Sequence, residues 1–251
     1  MKISVCASIL VPVMAAACGN GRGATEPPRA SESEFHQLRG PELSRARELY
    51  RDGRREEGAA ILRKLAGDSD WNVRSHAIRV VGESGDRALL PSVHAALADD
   101  RLEVRESASR VLMTLGDASS LAPLRKALSD REGVVRSHAA DALIRIAGVA
   151  ELGELAQVVS ADPDPAVRAG TVRAMAPLRD PAVAVILISA LEDESAIVRG
   201  EAADAVAANG APAGRSALER VAQHDPDPGV RQRAAAALQR LGAPPDGDGK
   251  P

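Results

Sequence analysis

The stretch ADPDPAVRAGTVRAMAPL, residues 161–178, decides the fold, because close variants of it recur six times along the chain. Aligned on a Val-Arg dipeptide, the copies read Val73-Arg74, Val104-Arg105, Val135-Arg136, Val167-Arg168, Val198-Arg199 and Val230-Arg231. Successive arginines are 31, 31, 32, 31 and 32 residues apart. Six residues before each arginine stands an aspartate: Asp68, Asp99, Asp130, Asp162, Asp193 and Asp225. Three after it come Ala77, Ala108, Ala139, Thr171, Ala202 and Ala234, and seven after it Val81, Leu112, Leu143, Met175, Val206 and Leu238. A fixed period of this length is the signature of a solenoid. The expected architecture is all-α, an α-solenoid of stacked helical hairpins with a period of about 31 residues.

Within one repeat the spacing is helical. Val73, Ala77, Val80 and Val81 fall at i, i+4, i+7 and i+8, one apolar stripe. Asp70, Asp164, Ser195 and Asp227 stand where a helix needs an N-cap. Pro165 and Pro228 follow two of them in the first turn, where a missing N–H costs nothing. Gly85, Gly116, Gly210 and Gly242 are placed to end that helix in a left-handed conformation. A second, shorter helix follows, with leucine stripes such as Leu121, Leu124 and Leu128. Neither helix can bury its apolar side alone, so neighbouring hairpins must stack, advancing roughly 10 Å each.

These residues resemble the HEAT-repeat family, in particular the short HEAT-like repeats of phycobilisome lyases, from Asp68 to Leu241. The resemblance implies that the aspartates Asp68, Asp99, Asp130, Asp162, Asp193 and Asp225 and the arginines Arg74, Arg105, Arg136, Arg168, Arg199 and Arg231 form a structural ladder along the stack. Six identical copies suit a scaffold and not a single catalytic site. The resemblance also places the second helices on the concave side. Among these, Ala182–Ile188 carries more large apolar side chains than one core stripe needs, so Val185, Ile186 and Ile188 form a candidate partner surface. The competing reading is that a central helix flanked on both sides has a wider buried stripe.

Outside the repeats the chain divides further. Residues 1–17 pair Lys2 with an apolar run too short for a membrane span, as in a cleaved secretory signal peptide. Ala15-Ala16-Ala17-Cys18 resembles a bacterial lipobox, which makes Cys18 the expected lipidation site at the head of a flexible tether, residues 18–39. Ala15 departs from the usual leucine, and the alternative is an ordinary cleaved signal and a soluble periplasmic or secreted protein. Gly19, by family analogy, points to the outer membrane, facing the periplasm in a Gram-negative cell. Cys6 is lost with the signal, which leaves no intramolecular disulfide. Residues 40–67 form a helical hairpin without the Val-Arg signature, expected to cap the stack. HEAT-like repeats fill residues 68–242 as five hairpins and a closing helix, and residues 243–251 form a disordered tail.

A net charge of −3 and 1% aromatic residues argue against nucleic-acid binding, which needs basic surface and stacking platforms. No phosphate loop, Cys-x-x-Cys pair or nucleophile elbow occurs. His76 and His138 occupy the same repeat position two repeats apart, roughly 20 Å, too far to share a zinc ion. Deoxyhypusine hydroxylase, a di-iron enzyme on this scaffold, uses His-Glu pairs just after the Val-Arg dipeptide; this chain has none. The near absence of aromatics also speaks against bilin-lyase chemistry. The sequence therefore points to a non-catalytic protein–protein interaction scaffold. It is expected to need no cofactor, to bind another protein, to take no small-molecule substrate, and to meet the membrane only through a lipid anchor.

Overall fold

A computed structural model describes residues 40–242. The segments read as signal peptide, tether with Cys18, and C-terminal tail lie outside the described residues. Helices α1 (Gly40–Arg51) and α2 (Arg55–Ala66) form the first hairpin. Five hairpins follow: α3 (Trp71–Ser84) with α4 (Leu90–Ala96), α5 (Leu102–Leu115) with α6 (Leu121–Ala127), α7 (Gly133–Ala147) with α8 (Leu152–Ala161), α9 (Pro165–Met175) with α10 (Pro181–Ser189), and α11 (Ala196–Asn209) with α12 (Arg215–His224). Helix α13 (Pro228–Arg240) closes the stack. Every regular element among the described residues is helical, and none is long and apolar enough to cross a membrane.

Three of the six Val-Arg helices begin on aspartate caps, while α5 and α7 start at Arg101 and Glu132 without a side-chain cap. Asp70 accepts from the Asn72 N–H, Asp164 from Ala166 and Asp227 from Val230. Ser195 occupies the cap position of α11 without a side-chain bond, so one of the four expected caps is only positional. The terminating glycines also differ. Gly85, Gly210 and Gly242 are left-handed at φ 66°, 75° and 73°. Gly116 is not: it sits at φ −55°, ψ 150° and leads directly into Asp117, whose carboxylate accepts from the Ser119 N–H to start the next turn. Asp86 and Asp180 do the same ahead of α4 and α10, bonding Ala88 and Ala182.

Small residues set the spacing of the stack. Ala77, Ala108, Ala139, Ala202 and Ala234 have no exposed surface. A Cβ on Gly82 would stand 2.8 Å from Val111 Cγ2, so α3 and α5 are as close as a glycine allows. Thr171, in the alanine position of α9, is fully buried and returns its hydroxyl to the Val167 carbonyl at 2.9 Å. Adjacent Val-Arg helices pack on one another along the whole stack, whereas successive second helices touch sparsely and leave grooves between them. A stack whose two rows differ in spacing bends toward the tighter row. The Val-Arg helices therefore form the inner side, and the expectation that the second helices line the concave side is overturned.

Candidate functional site

Each repeat junction is built from two turns. The carboxylate of the recurrent aspartate first closes its own turn: Asp99 Oδ1 accepts from the Arg101 N–H at 3.0 Å, and Asp68, Asp130, Asp162, Asp193 and Asp225 bond the residue two places on in the same way. The recurrent arginine donates one Nη1 bond to the backbone carbonyl of its own repeat's aspartate, as in Arg136 to Asp130 at 2.9 Å. Its remaining edge forks onto the next repeat's aspartate. The pairs are Arg74–Asp99, Arg105–Asp130, Arg136–Asp162, Arg168–Asp193 and Arg199–Asp225, with Nε–Oδ2 distances of 2.7 or 2.8 Å. Each arginine thus ties the turn of its own repeat to the turn of the next, and Asp68 and Arg231 stand at the two ends.

The electrostatics follow from burial and pairing. In the central pair the Arg136 and Asp162 side chains are 10% and 4% exposed. Burial alone would push the Asp162 carboxyl up, yet the Arg136 fork and the Asp164 N–H hold it below its ordinary value. Asp99 and Asp193 are lowered against the same opposition, and Asp225 mainly by Arg199. Arg74, Arg136, Arg168 and Arg199 are raised by their carboxylate partners. A bidentate fork of this kind is shape-specific, and lysine cannot reproduce it.

The inner face is lined by the position five residues after each ladder arginine, about 140° round the helix from it. Its residues are Arg79, Arg110, Asp141, Arg173, Asp204 and Ala236, all exposed except the half-buried Asp141 and Asp204. Several inner-face charges are tied across repeats: Arg47 to Glu83 at 2.7 Å, Arg233 to Glu201 at 2.7 Å, and Arg240 to Asp204. Burial pushes the Asp141 carboxyl up, opposed by Arg173.

The outer row has a seam of its own that the sequence did not disclose. His94 Nε2 lies 2.9 Å from Ser120 Oγ, and Arg125 Nε bonds Glu151 Oε2 at 2.8 Å. Ile188 Cγ1 lies 3.7 Å from where a Cβ of residue 214 would stand. In all three cases a second helix reaches 26 residues ahead, to the turn before the next second helix. The signal was that spacing, which nearly equals the 25 or 26 residues from ladder arginine to aspartate. The chemistry changes at each step, so no residue-type pattern could reveal it.

That seam corrects the candidate partner surface. Ile188 is half-buried toward Gly214, and Ile186 is half-buried in the groove shared with Ala156, Val159 and Ser160 of α8. Only Val185 is widely exposed, at 67%. The three do not make one exposed apolar face, because Ile186 and Ile188 pack to opposite sides of α10, and α10 is not on the inner side.

The described histidines are all engaged elsewhere. His76 Nδ1 contacts the Asn72 carbonyl at 2.9 Å, His138 Nδ1 the Ser109 hydroxyl at 3.1 Å, and His224 Nδ1 the Arg220 carbonyl at 3.2 Å. Burial lowers His94 and His138. Among the described residues no group of three His, Cys, Asp or Glu side chains is arranged to hold a metal ion.

Comparison with known proteins agrees with this geometry. An archaeal HEAT-like repeats protein from Thermococcus onnurineus superposes with a TM-score of 0.52 at 15% identity, covering 86% of this chain and 98% of that one. An engineered protein superposes with a TM-score of 0.51 at 19% identity, covering 73% and 96%. The complex of CpcE and CpcF of phycocyanin lyase from Nostoc sp. PCC7120 reaches 0.47 at 18% identity over 88% and 98%, too distant to argue from. No curated protein matches the sequence. The description of HEAT repeats matches residues 59–144 and 152–239, most of the chain, and the chain belongs to the HEAT-repeat family.

Proposed function

We propose that this chain is a non-catalytic interaction scaffold that holds another protein on the inner face of its Val-Arg helices. One observation carries the reading: the junctions behind that face repeat the same Arg–Asp fork five times, while the residues on the face itself change from repeat to repeat. A uniform frame presenting a varied charged surface suits recognition of one extended partner. A photo-crosslinker placed at Arg110 or Arg173 in cells should capture a partner identifiable by mass spectrometry, and one at Val185 should capture far less. Equal capture from both faces would sink the assignment of the face. Bound iron or a covalent chromophore in the purified protein would instead show an enzyme or enzyme accessory.

The scaffold is, on this reading, an envelope lipoprotein anchored through Cys18. More than one acyl chain, at about 0.8 kcal/mol per buried methylene, gives stable anchoring. Cys18→Ser should leave the repeats folded and release the protein to the soluble periplasmic or extracellular fraction. Membrane retention equal to wild type would remove lipidation from the account.

A further inference from the structure

The inner-face column five residues after each ladder arginine holds two aspartates, Asp141 and Asp204, both half-buried but in different surroundings. Asp204 is fully engaged. Arg233, two residues after the next ladder arginine, donates Nε to its Oδ2 at 2.6 Å, and Arg240, seven further on, reaches its Oδ1. At Asp141 the residues in those two places are Gly170 and Pro177, which offer no side-chain donor. The cations that do lie nearby are turned elsewhere. Arg145, one turn along the same helix, donates to the Leu112 carbonyl at 2.8 Å. Arg173 runs past Gly170, its Nη2 3.9 Å from where a Cβ of residue 170 would stand, and its ion pair is with Glu201 at 3.6 Å. The Asp141 carboxylate is left without a hydrogen bond among the described residues, at a cost to folding. Asp204 shows what offsets that cost at the same position: a guanidinium from outside the repeat.

We propose that Asp141 is a subsite for a guanidinium of the bound protein, an arginine side chain from an extended partner segment that enters beside Gly170 and pairs with the carboxylate. The proposal rests on the inner face being the binding face. Charge complementarity supports both the occupant and its register. Asp141 stands in the column between Arg110 and Arg173, whose side chains are 64% and 71% exposed, so sites for carboxylates lie on either side of it. Neighbouring repeats are roughly 10 Å apart. Three residues of extended chain span roughly the same 10 Å. The recognised segment therefore carries an arginine with an acidic residue three places before it and another three places after. Lysine serves less well there, because its ammonium is a point charge and cannot fork onto a carboxylate.

The test is nitrogen-15 NMR of the full chain, titrated with the peptide Asp-Gly-Gly-Arg-Gly-Gly-Asp with blocked ends and read at the Gly170 amide. Wild type should show saturable shifts at Gly170 and its neighbours. Asp141→Asn, or citrulline in place of the peptide's arginine, should weaken binding by at least about tenfold. Exchanging the arginine with one aspartate keeps the peptide's charge and should weaken binding as well, because the register is lost. Equal binding by the citrulline peptide, by the exchanged peptide or by Asp141→Asn overturns the proposal. If the peptide leaves Gly170 unmoved while crosslinkers at Arg110 and Arg173 still capture a partner, the inner face stands and the arginine subsite falls. If those crosslinkers capture no more than one at Val185, the binding face itself is wrong and the subsite falls with it.

Discussion

The inner and outer rows of this stack solve one problem in two ways. Both must join each repeat to the next across a gap of 25 or 26 residues of sequence. The inner row does it with an identical Arg–Asp fork at every junction, backed by alanines that bring the helices together. The outer row uses a histidine–serine contact, an ion pair onto a carboxylate only 2% exposed, and an isoleucine against a glycine. Where rows pack tightly, only one chemistry fits, and it is repeated. Where they diverge, the extra room admits several. Uniformity therefore marks the constrained side of the solenoid.

The largest expected effect breaks an inner junction. Arg136→Ala strips both fork bonds from Asp162, a carboxylate 4% exposed, and should cost about 3 kcal/mol. Arg231→Ala removes no inter-repeat carboxylate bond within the described structure and should cost under about 1 kcal/mol. Equal thermal shifts for the two would mean that the fork contributes little to the junction. Acid should erase the difference. The ladder aspartates with lowered carboxyls contribute stability that is present above the unfolded value near 4 and is lost as pH falls through their lower folded values.

The inner row was legible in the sequence because its chemistry repeats. Asp and Arg at fixed offsets in six copies gave the period, the helix starts and the identity of the ladder residues. Its direction, from each arginine forward to the next repeat, needed coordinates, since spacing alone permits bonding within a repeat. The outer row was harder. His94, Arg125 and Ile188 share a register, but a histidine, an arginine and an isoleucine carry no common signature. Ile188 looked like surplus apolar surface because its counterpart, Gly214, has no side chain to announce a contact. Concavity rested on the family resemblance alone, because nothing in the residues themselves says which row is more closely spaced.

A smaller expected effect tests how that glycine packs within its own repeat, against Val206 of α11. Gly214 has φ −77°, so backbone strain is not the issue. Space is: a Cβ there would stand 2.2 Å from Val206 Cγ1. Gly214→Ala should cost about 2 kcal/mol, the ordinary range for overpacking a core. Val206→Ala, which opens a cavity by itself, should cost less in the Gly214→Ala background than in wild type, a non-additivity readable from denaturant midpoints. Strict additivity would mean that the contact between this turn and α11 is loose enough to absorb a methyl group.

The smallest effect has the opposite sign and lies on the inner face. Asp141 is half-buried there with no hydrogen bond among the described residues, and Arg173 only partly offsets its loss of hydration. Its carboxyl is raised, so the folded state prefers it protonated. For a raised acid the favourable contribution is complete below the unfolded value near 4 and is lost as pH rises through the folded value. At pH 7 the ionised carboxylate is therefore a net cost to folding, and Asp141→Asn should stabilise the protein by about 0.5 kcal/mol. The gain should shrink as the solution is acidified and vanish near pH 4, where wild type carries the same neutral group. The ladder aspartates behave differently: their contribution is intact above the unfolded value near 4 and is lost only below it. Melting curves of the variant and wild type between pH 4 and 7 would separate the two. A variant less stable than wild type at pH 7 would show that Asp141 makes a charge contact on the inner face that outweighs its burial.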